Sequence, residues 1–299
     1  MKKFILQTIL FLLISTLLIA VLTCGVYFTR SWASFKLPLD KNILVVGDSH
    51  TECAIDDEIF SRTTNVSRSS SPYWCSYCKI KKFMDENRHV DTVILSFSYA
   101  MLRSTIDDQW TFDETWMLSH IPCYLSLVDK DILASYASKK VSLLKAILDL
   151  PYRDAFTFIA RGDRLSYKDL DIGHYAKLDR DKLQEALADP KYLVEDKSLS
   201  LHQKKYLLKI VDLCKSRNVE LILINTPIYK PEIHGDLDLL KAYHNAYLSG
   251  IKYMDYSAFP LPDSCYGDID HLNYKGAEIF SKYLQENFLK DVAALSPGS

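Results

Sequence analysis

No basic field marks this chain: 36 Lys and Arg stand against 38 Asp and Glu, a net charge of −2 over 299 residues. A surface built to bind a polyanion carries a clear positive excess. Nucleic acid is therefore not an expected partner, and the lysine runs Lys79–Lys82 and Lys139–Lys140 read as solvated faces. Metal-type spacing is missing as well. Apart from the Cys75–Cys78 pair the cysteines stand alone, without a second Cys or His pair at zinc-binding spacing. Neither a metal nor an organic cofactor is expected. There is no internal repeat and no low-complexity segment, and with 48% hydrophobic and 25% charged residues the composition excludes disorder and allows one large core, with or without a cap.

Charge is also absent from the whole stretch between Phe4 and Thr29, which follows Lys2 and Lys3. About 20 apolar residues cross a bilayer core as a helix, so residues 1–30 read as an uncleaved membrane anchor. The rivals are a cleaved signal peptide, which the long apolar run and the lack of a small-x-small site disfavour, and a lipoprotein site at Val21–Cys24, where Thr23 replaces a smaller residue. With Lys2 and Lys3 inside, the rest of the chain is expected outside the cytoplasm, at the cell surface or in a periplasm; Arg30 and Lys36 pull against that orientation. Seven cysteines suit an oxidising compartment. Cys24 lies in the apolar run, and the other six allow fifteen pairings.

After a linker over residues 31–41, strands and helices alternate. Strands are expected at Ile43–Val46, Thr64–Val66, Thr92–Phe97, Glu220–Ile224 and Tyr253–Asp255. Helices are expected at Ala54–Ser61, Pro72–Asn87, Leu201–Arg217, Leu237–Leu248 and Tyr274–Asn287. Such alternation implies a parallel sheet covered on both faces. Residues 103–200 break the pattern with helical runs at Asp131–Leu150 and Arg180–Leu187, and read as a helical insertion near the edge where open sheets bind ligands. Trp110, Trp116 and Tyr124 within it are candidates for stacking on sugars, or ordinary core. The tail Ser296–Ser299 is expected to fray.

Two short segments carry chemistry. Gly47-Asp48-Ser49-His50 follows the first strand, where glycine permits a tight turn and a following helix aims N–H groups at a developing oxyanion. Asp268-Ile269-Asp270-His271 precedes the last helix, and a carboxylate three residues before a histidine can turn back to its ring N–H. Each segment alone is explained equally well by helix capping. Together they offer a serine, its base and a carboxylate that orients the base.

On these residues the chain resembles the SGNH or GDSL hydrolase superfamily: Gly47-Asp48-Ser49 matches its nucleophile block, and Asp268-Ile269-Asp270-His271 its closing Asp-x-x-His block. The resemblance covers about 42–103 and 201–289. It implies a three-layer α/β/α, flavodoxin-like domain over residues 42–292, with Ser49 as nucleophile, His271 as base and Asp268, rather than Asp270, as its orienting carboxylate. Two blocks depart from the family. Where it has an oxyanion glycine after the second strand, this chain reads Val66-Ser67-Arg68-Ser69-Ser70-Ser71-Pro72, and Ser70 is the candidate donor. Where it has asparagine after the third strand, this chain reads Leu95-Ser96-Phe97-Ser98-Tyr99, and Ser98 is the candidate. Asp48, His50 and Asn225 are expected to line the pocket, although Asn225 before Pro227 reads equally well as a strand-ending turn.

The nearest match is the membrane-anchored subgroup that acylates or deacylates cell-surface polymers. The expected function is a membrane-tethered esterase or O-acyltransferase acting on acyl groups, foremost O-acetyl groups, of surface glycans. The alternative, favoured by the two departing blocks, is an inactive module of the same fold that binds a surface polymer or partners a membrane-bound acyltransferase. A thiol–disulfide role for Cys75 and Cys78 is a distant third, behind a structural disulfide or two cysteines on one helix face.

Overall fold

The computed structural model of the chain describes residues 1–149, 164–188, 198–233 and 237–295. The tail expected to fray lies outside these residues. Five strands are formed, Ile43–Val46 (β1), Thr63–Asn65 (β2), Thr92–Ser96 (β3), Glu220–Asn225 (β4) and Lys252–Asp255 (β5). The helices of the first half are Lys2–Ser31 (α1), Ser49–Ala54 (α2), Tyr73–Glu86 (α3), Tyr99–Leu102 (α4), Glu114–Tyr124 (α5), Lys130–Ser135 (α6) and 140–149 (α7). Leu183–Ala188 (α8), Leu201–Ser216 (α9), Leu237–Tyr247 (α10) and Tyr274–Ala294 (α11) follow. The chain divides into two compact units, residues 1–35 with 112–171 and residues 36–111 with 172–299.

The second unit holds the sheet. Every neighbouring strand pair is parallel, in the order β2-β1-β3-β4-β5, so the fold is a mixed α/β domain with a parallel sheet flanked by helices. Successive side chains of a strand point to opposite faces. Ile43, Val45, Ile94, Ile222, Ile224 and Met254 form one core with Ala54 of α2 and with Phe280, Leu284 and Phe288 of α11. The alternate residues Leu44, Val46, Val93, Leu95 and Leu223 are fully buried on the other side, where α3 packs on β1, α9 on β4, and the two helices on each other. Burial on both faces explains the unbroken apolar runs. Order 2-1-3 places a topological switch at the exits of β1 and β3, the place where open sheets take ligands.

Side-chain caps set most helix starts: Asp48, Ser98, Asp113, Asp129, Ser200 and Asn273 each accept a backbone N–H of the following turn. The first of these corrects an expectation. The helix placed at Ala54–Ser61 begins instead at Ser49 and ends at Ala54, because Asp48 caps it at once and Ile55 turns extended. The last helix runs on to Ala294, since Phe288 and Val292 continue the buried stripe. Lys79 is not part of a solvated face. It is fully buried, and its Nζ donates to the carbonyls of Val66 at 2.6 Å and Ile172 at 3.2 Å, while burial pulls its pKa down to about 8. None of the seven cysteines forms a disulfide, and Cys75 and Cys78 are packed within α3.

The stretch read as one insertion belongs to both units. Asp107 is tied to α9 by the Ser200 hydroxyl at 2.6 Å and Gln203 Nε2 at 3.0 Å, and Leu183 and Ala186 of α8 join the α11 side of the sheet core. A short helix such as α8 shows too few apolar positions for its burial to be read from periodicity.

The first unit contains α1, α5, α6 and α7. With 30 residues, α1 is about 45 Å long, and it is long and apolar enough to serve as a membrane anchor or signal segment. Its last turn is tied into the unit: Arg30 is buried and donates to the carbonyls of Cys123 at 3.2 Å and Leu170 at 2.9 Å. Trp116, stacked on His120, and Tyr124 are buried here, so both are core and neither presents an open ring to a sugar. Trp110, in the other unit, is half-buried.

Candidate active site

β1 and β3 leave the sheet side by side. A side chain on Gly47 would bring its Cβ within 2.3 Å of Ser96 Cβ and 2.4 Å of Thr51 Oγ1. Glycine is therefore required for close approach, and it places the next three residues at the switch point. Asp48 is fully buried and carries three loads. Its Oδ1 accepts from the His50 N–H at 3.3 Å and the Ser96 hydroxyl at 2.8 Å, and its Oδ2 lies 2.8 Å from His50 Nδ1. Burial raises its pKa, but the His50 charge and the hydrogen bonds from His50 and Ser96 outweigh it and hold the carboxylate below its usual value.

Ser49 opens α2, and its Oγ meets Nε2 of His271 at 2.7 Å. On the far side of the same ring, Nδ1 lies 2.8 Å from Asp268 Oδ1, which also accepts the backbone N–H groups of Asp270 and His271, both at 2.9 Å. The three-residue spacing thus folds the carboxylate back onto its own loop. Asp270 does not take that position. The Asp268 carboxyl is held low: burial opposes its charge, and the His271 hydrogen bond and charge, the Asp270 N–H and Arg180 prevail.

The structure brings Ser49, His271 and Asp268 into one line and distributes the other five candidates differently. His50 flanks the line, its ring centroid 5.3 Å from that of His271. Asp48 lies beneath it, sealed from any pocket. Ser70 has a left-handed backbone, φ 56°, a conformation in which glycine is at ease and serine is not; the position resembles glycine in shape without being one. Ser98 caps α4, its Oγ accepting from the Met101 N–H at 3.3 Å. Asn225 is engaged elsewhere: its side-chain amide donates to Asp255 Oδ1 at 3.3 Å, and its backbone carbonyl accepts the Tyr256 N–H at 2.8 Å. It closes the β4–β5 corner, because the Pro227 turn leads the chain away toward Ser257 and Ile269.

Two residues that sequence reasoning missed belong to the neighbourhood. Arg180 donates through its Nη2 to Asp268 Oδ2, and its segment lines the loop, with hydrogen bonds from Lys182 N–H to Gly267 at 2.8 Å and from Tyr274 N–H to Leu178 at 2.8 Å. Glu52, one turn after Ser49, is buried and accepts from the Ser69 hydroxyl; burial raises its pKa. Nothing local marks either in the sequence: Arg180 stands between Asp179 and Asp181, and Glu52 follows Ser49-His50-Thr51, as many solvated residues do. Among the described residues no cluster of His, Cys, Asp and Glu is fit to hold a metal ion.

A protein-family model matches residues 177–293, less than half the chain, a span that includes Arg180, Asp268 and His271 and leaves out Ser49. No curated protein matches the chain by sequence. Among solved structures it is similar to a candidate acylhydrolase from Bacteroides fragilis, at 11% identity over 84% of this chain and 88% of that one, with a TM-score of 0.37. It is similar also to a GDSL-like lipase from Bacteroides thetaiotaomicron, at 10% identity over 87% and 94% of the two chains, again with a TM-score of 0.37.

Proposed function

We propose that the protein is a serine esterase or O-acyltransferase of the SGNH/GDSL type, tethered to a membrane by α1, with its sheet unit outside the cytoplasm. The observation that carries this reading is the unbroken relay from Ser49 Oγ through the two nitrogens of His271 to Asp268, with contacts of 2.7 and 2.8 Å. Ser49 Oγ attacks the ester carbonyl and gives its proton to His271 Nε2. Asp268 fixes the tautomer and stabilises the imidazolium. The tetrahedral intermediate collapses, His271 returns the proton to the departing alcohol, and the acyl group stays on Ser49. Water or a sugar hydroxyl, deprotonated by the same histidine, then takes the acyl group. The Ser49 N–H and a donor of the loop at Ser70 face the developing oxyanion. O-Acetyl and related groups on membrane-associated glycans are the substrate class that fits a tethered site. The chemistry calls for no metal or organic cofactor.

The test is hydrolysis of p-nitrophenyl acetate and acetylated glycans by the full chain in detergent, with Ser49→Ala and His271→Ala alongside. Turnover lost in both variants supports the enzyme. A second reading is favoured by Ser98, whose hydroxyl caps α4 where the family has its asparagine: a non-catalytic module that binds a surface polymer or partners a membrane-bound acyltransferase. Wild-type rates equal to those of the variants, with no uptake of a serine-directed phosphonate, would favour that reading.

A further inference from the structure

Two imidazoles lie side by side at Ser49, that of His271 on its hydroxyl and that of His50, the next residue, 5.3 Å from it, and the relay uses only one. The second, His50, is unusual in three respects. Its side chain is only 9% exposed. Its Nδ1 is pinned by Asp48 Oδ2 at 2.8 Å, and Asp48 is itself fixed by Ser96. Its Nε2 has no hydrogen-bond partner among the described residues and is not fully enclosed, so the tip of a largely buried ring remains accessible. The ring lies 5.3 Å from that of His271, tilted by 36°.

The charge of His50 decides what that tip can do. A neutral ring giving its Nδ1 proton to Asp48 would leave a lone pair on Nε2, whereas a protonated ring carries a second N–H there. The anions whose charge acts on His50 are Asp48, Asp270 and Asp268, and its ring lies against that of His271, with Arg180 on Asp268 nearby; burial opposes the charge, Asp48 overrides it, and the proton is held to about 9. At neutral pH the tip is a cationic donor. As such it cannot compete with His271 as base, and it can supply the side-chain donor that the family's asparagine gives.

We propose, resting on the serine-esterase reading, that His50 is a catalytic residue whose Nε2–H donates to the oxyanion formed at Ser49, in the place of the asparagine that the family carries after the third strand. The charges also offset one another: when His271 takes the serine proton, two imidazolium rings and the Arg180 guanidinium stand against Asp48, Asp268 and the new oxyanion. His50 is then strongest as a donor at the moment the intermediate forms.

The test is the rate at which a fluorophosphonate labels Ser49 in the full chain in detergent, since the phosphonyl oxygen occupies the same hole. Wild type is compared with His50→Gln, His50→Ala and His271→Ala, with melting temperatures as a check on folding. Loss of one oxyanion donor costs about 10²–10³ in rate, so His50→Ala should label that much more slowly and His50→Gln should fall between. Wild-type labelling should also decline above about pH 9, and that decline should vanish in His50→Gln. If His50→Ala proves unfolded, the pH limb decides. A folded His50→Ala within twofold of wild type, or an alkaline limb unchanged in His50→Gln, overturns the donor while leaving the esterase reading intact. No labelling of wild-type Ser49 overturns both.

Discussion

The loop after β1 and the loop before α11 each join an aspartate to a histidine, and they differ in everything around that pair. Asp48 is fully buried, spends both oxygens on side chains, and serves His50 from two residues away. Asp268 sits three residues before its histidine, takes two backbone N–H groups on the oxygen that meets the ring, and offers the other to Arg180. One ring is thereby left with a free outer nitrogen, and the other has its outer nitrogen on a hydroxyl. The same two residue types hold a ring on a buried carboxylate in one loop and bridge a carboxylate to a hydroxyl in the other, and the neighbours decide which.

The largest way to break this contrast is Asp268→Asn, which removes the acceptor that fixes the His271 tautomer. By analogy with serine-protease triads the loss in kcat is on the order of 10⁴, measured as ester turnover. Asp48→Asn, with its cap retained, should cost less than that, which a direct comparison of the two turnover numbers checks. The next effect is on stability. Gly47→Ala forces a Cβ against Ser96 and Thr51, and an overpacked core loses about 1–3 kcal/mol, visible as a lower melting temperature.

The pH dependence of stability sharpens the comparison further. The His50 pKa is raised from 6.5 to about 9, so its contribution is fully present below 6.5 and fades as the pH rises through 9. The Asp48 pKa is lowered, so its contribution is present above the ordinary carboxylate range and fades as the pH falls through its depressed folded value. The gap in melting temperature between wild type and His50→Gln should therefore be widest between the ordinary carboxylate range and pH 6.5, narrow as the pH rises further, and close toward pH 10. Reading the gap rather than the wild type alone removes Lys79, which bends stability in the opposite sense because its folded pKa is depressed to about 8. The smallest effect expected is that of Arg180→Gln on melting: with a side chain 36% exposed, its ion pair with Asp268 contributes below about 1 kcal/mol.

What could be read in advance follows from the range of the interactions. The strands were legible because burial on both faces leaves apolar runs that no solvated segment imitates. The helix starts at Ser200 and Asn273 were legible because their capping side chains lie next to the turn they cap. Ser49, Asp268 and His271 came from two local patterns whose pairing made sense only as chemistry. Lys79, Arg180 and Glu52 were not legible. Each is a charged residue whose partner lies in a distant segment, and composition treats such residues as surface. His50 was legible only as pocket lining, because its contact with the buried Asp48 carboxylate cannot be read from two residues that are near neighbours in sequence.

One geometric fact has a temporal side. Ser49 and His271 are separated by 222 residues, and the base is carried into place by α11, which packs on α2 and is pinned there by the Asp56 N–H on the Ser281 hydroxyl at 2.8 Å. Such distant pairing is late in folding, since the chain closes a long loop before any contact repays it. During synthesis the serine therefore emerges 222 residues ahead of the imidazole it meets. A chain truncated before the loop at Asp268 carries Ser49 without His271, and the hydroxyl meets that imidazole only when the C-terminal segment docks.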